Sequence, residues 1–157
     1  MKFWWVFPVL FIVACGRSPE EATQELQKMN VAPTSDSLLV KTKEGKSEEV
    51  AKMLVQSGVD PNARQRNGMT ALMSAAFNGQ HDVAKALLEK GAEVNAEAGG
   101  FSALSLAVER NDRTMVELLL KHGAEARTRP GKGLSALEKA QQKENADLVQ
   151  LLESAAK

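Results

Sequence analysis

Apolar and polar positions along the chain repeat with a period of 32 to 33 residues. One phrase, consisting of glycine, an apolar residue, Thr or Ser, alanine and leucine, occupies residues 68–72, 100–104 and 133–137. A period of roughly 20 to 50 residues is the signature of stacked structural repeats. The same apolar positions follow each phrase in register: an alanine (Ala75, Ala107, Ala140), an apolar pair (Val83/Ala84, Met115/Val116, Leu148/Val149) and a leucine (Leu87, Leu119, Leu152).

The spacing within each unit predicts two helices. Thr70, Ser102 and Ser135 place a hydroxyl directly before an apolar run, where it can accept a hydrogen bond from a free amide at a helix N-terminus. A second helix is expected to close at Gly91 and Gly123, because glycine adopts the left-handed conformation of a helix C-terminus at little steric cost. Each unit is therefore predicted to be a helix-turn-helix.

At these residues the chain resembles the ankyrin repeat family. Residues 70–73, Thr-Ala-Leu-Met, stand where the family writes Thr-Pro-Leu-His, and residues 91–96 match its Gly-Ala-Asp-Val-Asn-Ala finger. Alanine replaces the family proline in all three phrases, and Met73, Ser105 and Glu138 replace its histidine. The resemblance covers about residues 34–157. It implies an all-α solenoid of helix-turn-helix repeats with short hairpin fingers, which binds other proteins and catalyses no reaction.

We expect about four repeats within an ankyrin repeat domain at residues 36–157. The first and last are more polar than the middle two: Lys41 and Lys43 in the first, and Gln141 and Glu153 in the last, fall near positions that are small or apolar in the middle repeats. Stacked arrays need terminal repeats with a polar outer face, which these two would provide. The expected repeats are 36–66, 67–98, 99–131 and 132–157.

The first 14 residues have the pattern of a signal peptide. Lys2 precedes an apolar run over residues 3–14, which is shorter than the roughly 20 residues of a membrane-spanning helix. Ile12-Val13-Ala14-Cys15 resembles a bacterial lipobox, which implies lipidation of Cys15 and a lipid-anchored protein facing the periplasm. A retained anchor and an ordinary cleaved signal, which would give a soluble periplasmic or secreted protein, are the alternatives.

Residues 15–35 are interpreted as a lipidated tether containing a short helix. Ser18 and Pro19 form a helix start, and Ala22, Leu26 and Met29 give a thin apolar stripe at spacings of four and three. Two alternatives stay open at this point. The segment is either a solvated spacer or a helix that docks against the first repeat.

Composition excludes several classes of function. Twenty Lys and Arg balance twenty Asp and Glu, so no bulk positive field favours nucleic acid. The two histidines, His81 and His122, fall at a turn and in a last helical turn, and the chain lacks a cysteine cluster, a phosphate cradle and a nucleophile elbow. We therefore expect no enzyme activity, no metal and no cofactor, and we expect a monomer.

The scarce large apolar residues are the candidate binding residues. Beyond the signal the chain has no Trp or Tyr, and its only phenylalanines are Phe77 and Phe101. In ankyrin-like repeats these two positions tend to face the concave side, and Met69 and Leu134 are the register partners of Phe101. Exposed apolar residues that line up indicate an interaction surface. The alternative is that they seal the hairpins against the helices.

The finger tips are a second candidate surface. Arg66 in the first tip and Arg129 in the third are basic, whereas the middle tip at residues 97–99 carries Glu97. A basic, acidic, basic series could select a charged partner. Solvated charge at loop tips is the other explanation.

These observations favour an envelope-tethered interaction module, a scaffold or regulator that binds an unidentified envelope protein and touches the membrane through its N-terminal lipid. An immunity protein that covers a toxin or an envelope enzyme is the first alternative, and a purely structural envelope component is another. An enzyme is the rival from a different class, and His81 or His122 would then be the residues to test.

Overall fold

The computed structural model describes residues 18–44 and 48–155; Cys15 and the predicted signal peptide lie outside them. No helix in these ranges is long and apolar enough to cross a lipid bilayer. The helices are α1 (Pro19–Lys28), α2 (Ser35–Glu44), α3 (Glu48–Gln56), α4 (Ala71–Asn78), α5 (His81–Glu89), α6 (Ala103–Glu109), α7 (Arg113–Lys121), α8 (Ala136–Gln142) and α9 (Ala146–Ala155), and the strands are β1 (Glu97–Ala98) and β2 (Phe101–Ser102).

Side-chain caps start the first helix of three repeats, as predicted. The hydroxyls of Thr70, Ser102 and Ser135 each accept a hydrogen bond of 3.2 Å from the amide three residues on. Each cap satisfies an amide that has no partner inside the helix, which contributes about 1 kcal/mol. The phrase that repeats in the sequence is therefore the start signal of α4, α6 and α8.

Consecutive helix pairs stack through their apolar faces. The first helices α2, α4, α6 and α8 form one layer in which each packs on the next, and α3, α5, α7 and α9 form the second layer. The leucines of both layers are buried, for example Leu72 and Leu104 in the first and Leu87 and Leu119 in the second. Because α5, α7 and α9 contact one another much less than the first helices do, the array bends and the first-helix side is concave.

Two asparagines fix the spacing of the connecting fingers. Asn62 donates to the carbonyl of Gly91 at 3.2 Å and accepts from the amide of Glu93 at 2.8 Å. Asn95 repeats both contacts one unit later, at 3.1 and 3.0 Å. The second finger is a two-stranded antiparallel hairpin that pairs β1 with β2. Each finger is thus held to the next unit by a side chain that satisfies two backbone groups.

Helix α1 packs against α3, the second helix of the first repeat. Its N-terminus is closed by a capping box, in which Ser18 and Glu21 each bond the backbone of the other. Ala22 and Leu26, the middle of the predicted stripe, have no exposed surface, whereas Met29 is 45% exposed. Of the two alternatives for this segment, the structure therefore shows docking against the first repeat.

Replacing Leu26 with alanine should lower the free energy of unfolding by about 2 to 5 kcal/mol, because it leaves a cavity between α1 and α3. Met29→Ala is the matched control, since it truncates an exposed side chain of the same helix and should cost under about 0.5 kcal/mol. Denaturant unfolding of both variants measures the difference. Equal, small losses would contradict the docked helix.

Candidate protein-binding groove

A groove runs along the concave side, with the first helices as its floor and the fingers as its wall. At the first repeat the two meet in a cleft of about 610 Å³. Residues from α2, including Val40 and Lys43, line one side, and residues 64–67 of the first finger line the other. Val40 is 49% exposed. The cleft is open, as suits an extended segment of another protein better than a small enclosed ligand.

Three of the four apolar residues singled out in the sequence are exposed. Phe77 has 46% of its surface accessible, Phe101 40% and Leu134 38%, although nearly all other large apolar side chains in the described ranges are buried or half-buried. Met69 is half-buried and packs against the core. Phe77 lies in the last turn of α4 and Phe101 in β2. Their role in binding stays a prediction.

A cation covers one face of each exposed phenylalanine ring. The guanidinium carbon of Arg110 lies 5.7 Å from the centroid of the Phe77 ring, and the Lys139 ammonium lies 4.4 Å from the centroid of the Phe101 ring. A cation within about 6 Å of a ring centroid is attracted by the negative face of the ring. Each phenylalanine is therefore held in place by a residue from the following repeat while much of its surface stays open.

Lys139, which contacts the candidate binding residue Phe101, was not singled out by sequence reasoning. Only a tenth of its side chain is exposed, and its ammonium reaches a Glu109 carboxylate oxygen at 3.4 Å. The other oxygen of Glu109 lies 3.7 Å from the Lys143 ammonium. A signal was present in the sequence, because the corresponding first-helix positions in the middle repeats are Ser74 and Leu106. A lysine at a buried repeat position needs a carboxylate or an aromatic face as its partner.

The two arginines predicted at the finger tips lie in different environments. Arg129 forms an ion pair with Glu138 on α8. This hydrogen-bonded pairing, together with the backbone amide of Ser135, lowers the pKa of Glu138 to about 2. Arg66 is exposed, lines the cleft beside α2, and makes no ion pair with any residue in the described ranges. Arg66 is thus available to a partner, whereas Arg129 already has a carboxylate.

The neighbouring Arg64 joins two fingers. Its guanidinium lies 3.1 Å from the Glu93 carboxylate and donates to the carbonyl of Glu97 at 3.2 Å. The carboxylate of Glu97 in turn accepts from the amide of Gly131 in the third finger at 3.0 Å. The middle tip therefore contacts both neighbouring fingers, and the Glu97 carboxylate already accepts a hydrogen bond within the finger wall.

His81 makes a contact between repeats. Its Nε2 atom lies 2.8 and 2.9 Å from the two carboxylate oxygens of Asp112, which also caps α7 by accepting from the Met115 amide at 3.0 Å. Burial opposes ionisation of Asp112, but the bonds from His81 and Met115 outweigh it and lower the pKa of the carboxyl group. Across residues 18–44 and 48–155 no cluster of His, Cys, Asp and Glu is arranged to hold a metal.

Comparison with known proteins identifies the repeat type. The model for ankyrin repeats (3 copies) matches residues 10–98 and 38–130. A putative ankyrin repeat protein of fowlpox virus is 37% identical over 107 residues, which is 66% of this chain and 31% of that protein. A putative ankyrin repeat-containing protein of Treponema pallidum is 35% identical over 100 residues, 63% of this chain and 34% of the relative.

The matching relatives are longer than this chain and carry different names. The B-cell lymphoma 3 protein homolog of mouse is 42% identical over 84 residues, 52% of this chain and 19% of that protein. The chain therefore spans about a third or less of the length of these relatives.

Proposed function

The chain belongs to the ankyrin repeat family, and from this premise we propose that it binds an exported partner protein in its concave groove while a lipid on Cys15 holds it at the cell envelope. Ankyrin repeats act as protein-protein interaction modules. In this chain the module would serve as a scaffold or regulator and would perform no chemistry itself. It would act as a monomer that faces the periplasm.

The observation that carries the groove proposal is the exposure of Phe77 on the first helix α4 and of Phe101 in β2. An interface centre depends on a few large anchors whose truncation costs about 2 kcal/mol or more, surrounded by contacts that matter little. A phenylalanine can bury on the order of 150 to 250 Å², so these two rings offer the largest unburied apolar area in the groove. The half-buried Met69 and the exposed Leu134 extend the same surface along the fingers.

We propose that the chain has no catalytic activity because its reactive side chains already contact other residues of the array. His81 is engaged with Asp112 between two repeats, and Lys139 is engaged with Phe101 and Glu109. These contacts hold one repeat to the next. We therefore infer that both groups serve the stacking of the repeats.

The envelope proposal depends on Ile12-Val13-Ala14-Cys15 and on the distance to the fold. Helix α1 begins at Pro19, four residues after Cys15. Four extended residues span at most about 14 Å. A lipid on Cys15 would therefore keep the docked helix α1, and with it the first repeat, close to the membrane surface. The family match starts at residue 10, inside the apolar run, and therefore overlaps the proposed signal peptide. Lipid labelling tests whether the anchor is present.

Replacing Phe77 or Phe101 with alanine should lower partner co-purification from envelope extracts by more than about tenfold, which corresponds to about 1.4 kcal/mol. The melting temperature should change little, because each ring is nearly half exposed and contributes mainly a cation contact of about 0.5 to 1 kcal/mol. Quantitative co-purification and thermal melting of the same variants give both numbers.

Met29→Ala is the truncation control of similar exposure, and Val40→Ala tests the contribution of the cleft. Met29 lies on α1, away from the groove, so its variant should leave partner recovery unchanged; Val40 lies in the cleft and should cause an intermediate loss. If both phenylalanine variants lose several kcal/mol of stability instead, these rings belong to the core and the groove proposal fails.

Labelled palmitate should enter the wild-type chain and be absent from Cys15→Ser, which should also leave the membrane fraction. One acyl chain gives only marginal membrane affinity, whereas two, at about 0.8 kcal/mol per buried CH₂, hold a protein stably. Labelling with subsequent fractionation measures both effects. Equal labelling of the two proteins would rule out the anchor.

A further inference from the structure

We propose that the segment bound in the groove is acidic, with carboxylate side chains next to apolar ones. The inference rests on the groove proposed above and adds the chemistry of its occupant. It follows from the charges that remain unpaired along the groove once the internal ion pairs are accounted for.

The cleft at the first repeat carries two unpaired cations. Lys43 from α2 and Arg66 from the first finger line it from opposite sides, and neither makes an ion pair within the described ranges. The neighbouring Lys41 is already paired with Glu44 at 3.1 Å. Asp36 in the first turn of α2 is the one carboxylate among the residues that line the cleft. The cleft therefore has a net positive charge.

The part of the groove at the later repeats is also positive. Lys139 and Lys143 share the single carboxylate of Glu109, at 3.4 and 3.7 Å. Arg110 lies over Phe77, and the nearby Asp112, whose pKa it helps to lower, is already bonded to His81. One lysine charge thus remains for a partner, and the Arg110 charge is partly offset by Asp112.

The surplus is local to the groove. Lys43, Arg66, Arg110, Lys139 and Lys143 are five cations that face three carboxylates, Asp36, Glu109 and Asp112, although the whole chain has equal numbers of basic and acidic residues. Carboxylates must therefore be in excess on the remaining surface. Such an asymmetry raises the local concentration of an anionic partner at the groove and orients it as it approaches.

The two pairs, each formed by a phenylalanine ring and a cation, indicate which kind of anionic partner the groove would bind. Each pair places a positive charge beside a half-exposed phenylalanine, Arg110 with Phe77 and Lys139 with Phe101. A glutamate or aspartate next to a leucine or phenylalanine would contact both members of such a pair. A nucleic acid duplex would use the cations alone and would leave the apolar rings uncovered. The geometry therefore favours an acidic protein segment over a duplex, and a single strand, whose bases can stack on phenylalanine, is the competitor included in the test.

The test measures binding of labelled twelve-residue peptides to the full chain by fluorescence anisotropy. Three peptides share the same leucine positions and carry Glu, Gln or Lys at all others, and a twelve-nucleotide oligothymidylate is the fourth probe. We expect the Glu peptide to bind at least about fivefold more tightly than the Gln peptide. This preference should decrease as added salt shortens the electrostatic screening length, which is about 10 Å at 0.1 M.

Matched charge variants locate the effect. The triple variant Lys43→Gln, Arg66→Gln, Arg110→Gln should weaken binding of the Glu peptide about tenfold. Lys85→Gln with Lys121→Gln removes two exposed cations from the outer helices α5 and α7 and should leave it unchanged. Equal binding of the Glu and Gln peptides, no binding of the Glu peptide, equal losses in both variants, or tighter binding of the oligothymidylate would each overturn the inference.

Phe101→Ala separates this inference from the groove proposal. If the Glu and Gln peptides bind equally and both weaken in Phe101→Ala, the groove binds through its apolar residues and only the acidic occupant is wrong. If the Glu peptide responds to the triple variant but Phe101→Ala has no effect, the charge inference holds and the phenylalanine anchors are wrong.

Discussion

The whole structure depends on the burial of apolar side chains between consecutive helix pairs. Each pair is too small to bury its own apolar face, so Leu72 and Leu104 are covered only because another pair packs beside them. From α5 onward, stacking of the second helices is looser than stacking of the first helices, and this difference bends the array. The concave groove is therefore a consequence of how the core is buried.

Stacking also determines which groups are left for binding. Contacts between repeats already engage several charged or titratable side chains, as His81 with Asp112 and Arg129 with Glu138 illustrate. The groove keeps two rings that are nearly half exposed and a small surplus of cations. Both Phe77 and Phe101 are braced by a cation from the next repeat, so their orientation depends on the same stacking that buries the core. A preorganised anchor of this kind loses little conformational freedom on binding.

The features predicted correctly from the sequence are local. Thr70 and Ser102 act as caps because the hydroxyl one residue before an apolar run accepts from a backbone amide only three residues further along the chain. The docking of α1 could not be predicted from the sequence. The apolar stripe containing Leu26 indicates a helix with one buried face, but it does not identify α3 as the helix that covers this face. The contact of Lys139 with Phe101 joins residues 38 positions apart and depends on the stacking of two repeats, which a repeat alignment represents only as an unusual residue at a buried position.

Site-specific photocrosslinking in living cells tests the central claim most directly. A photoreactive phenylalanine analogue placed at position 77 or 101 should form a covalent adduct with one partner protein, because the proposal makes these exposed positions the anchors of the interface. The same analogue at Lys85 or Glu117, on the outer helices α5 and α7, should form none. Adducts of the same protein from the outer positions, with none from positions 77 and 101, would contradict the account and place the binding surface on the opposite side of the array.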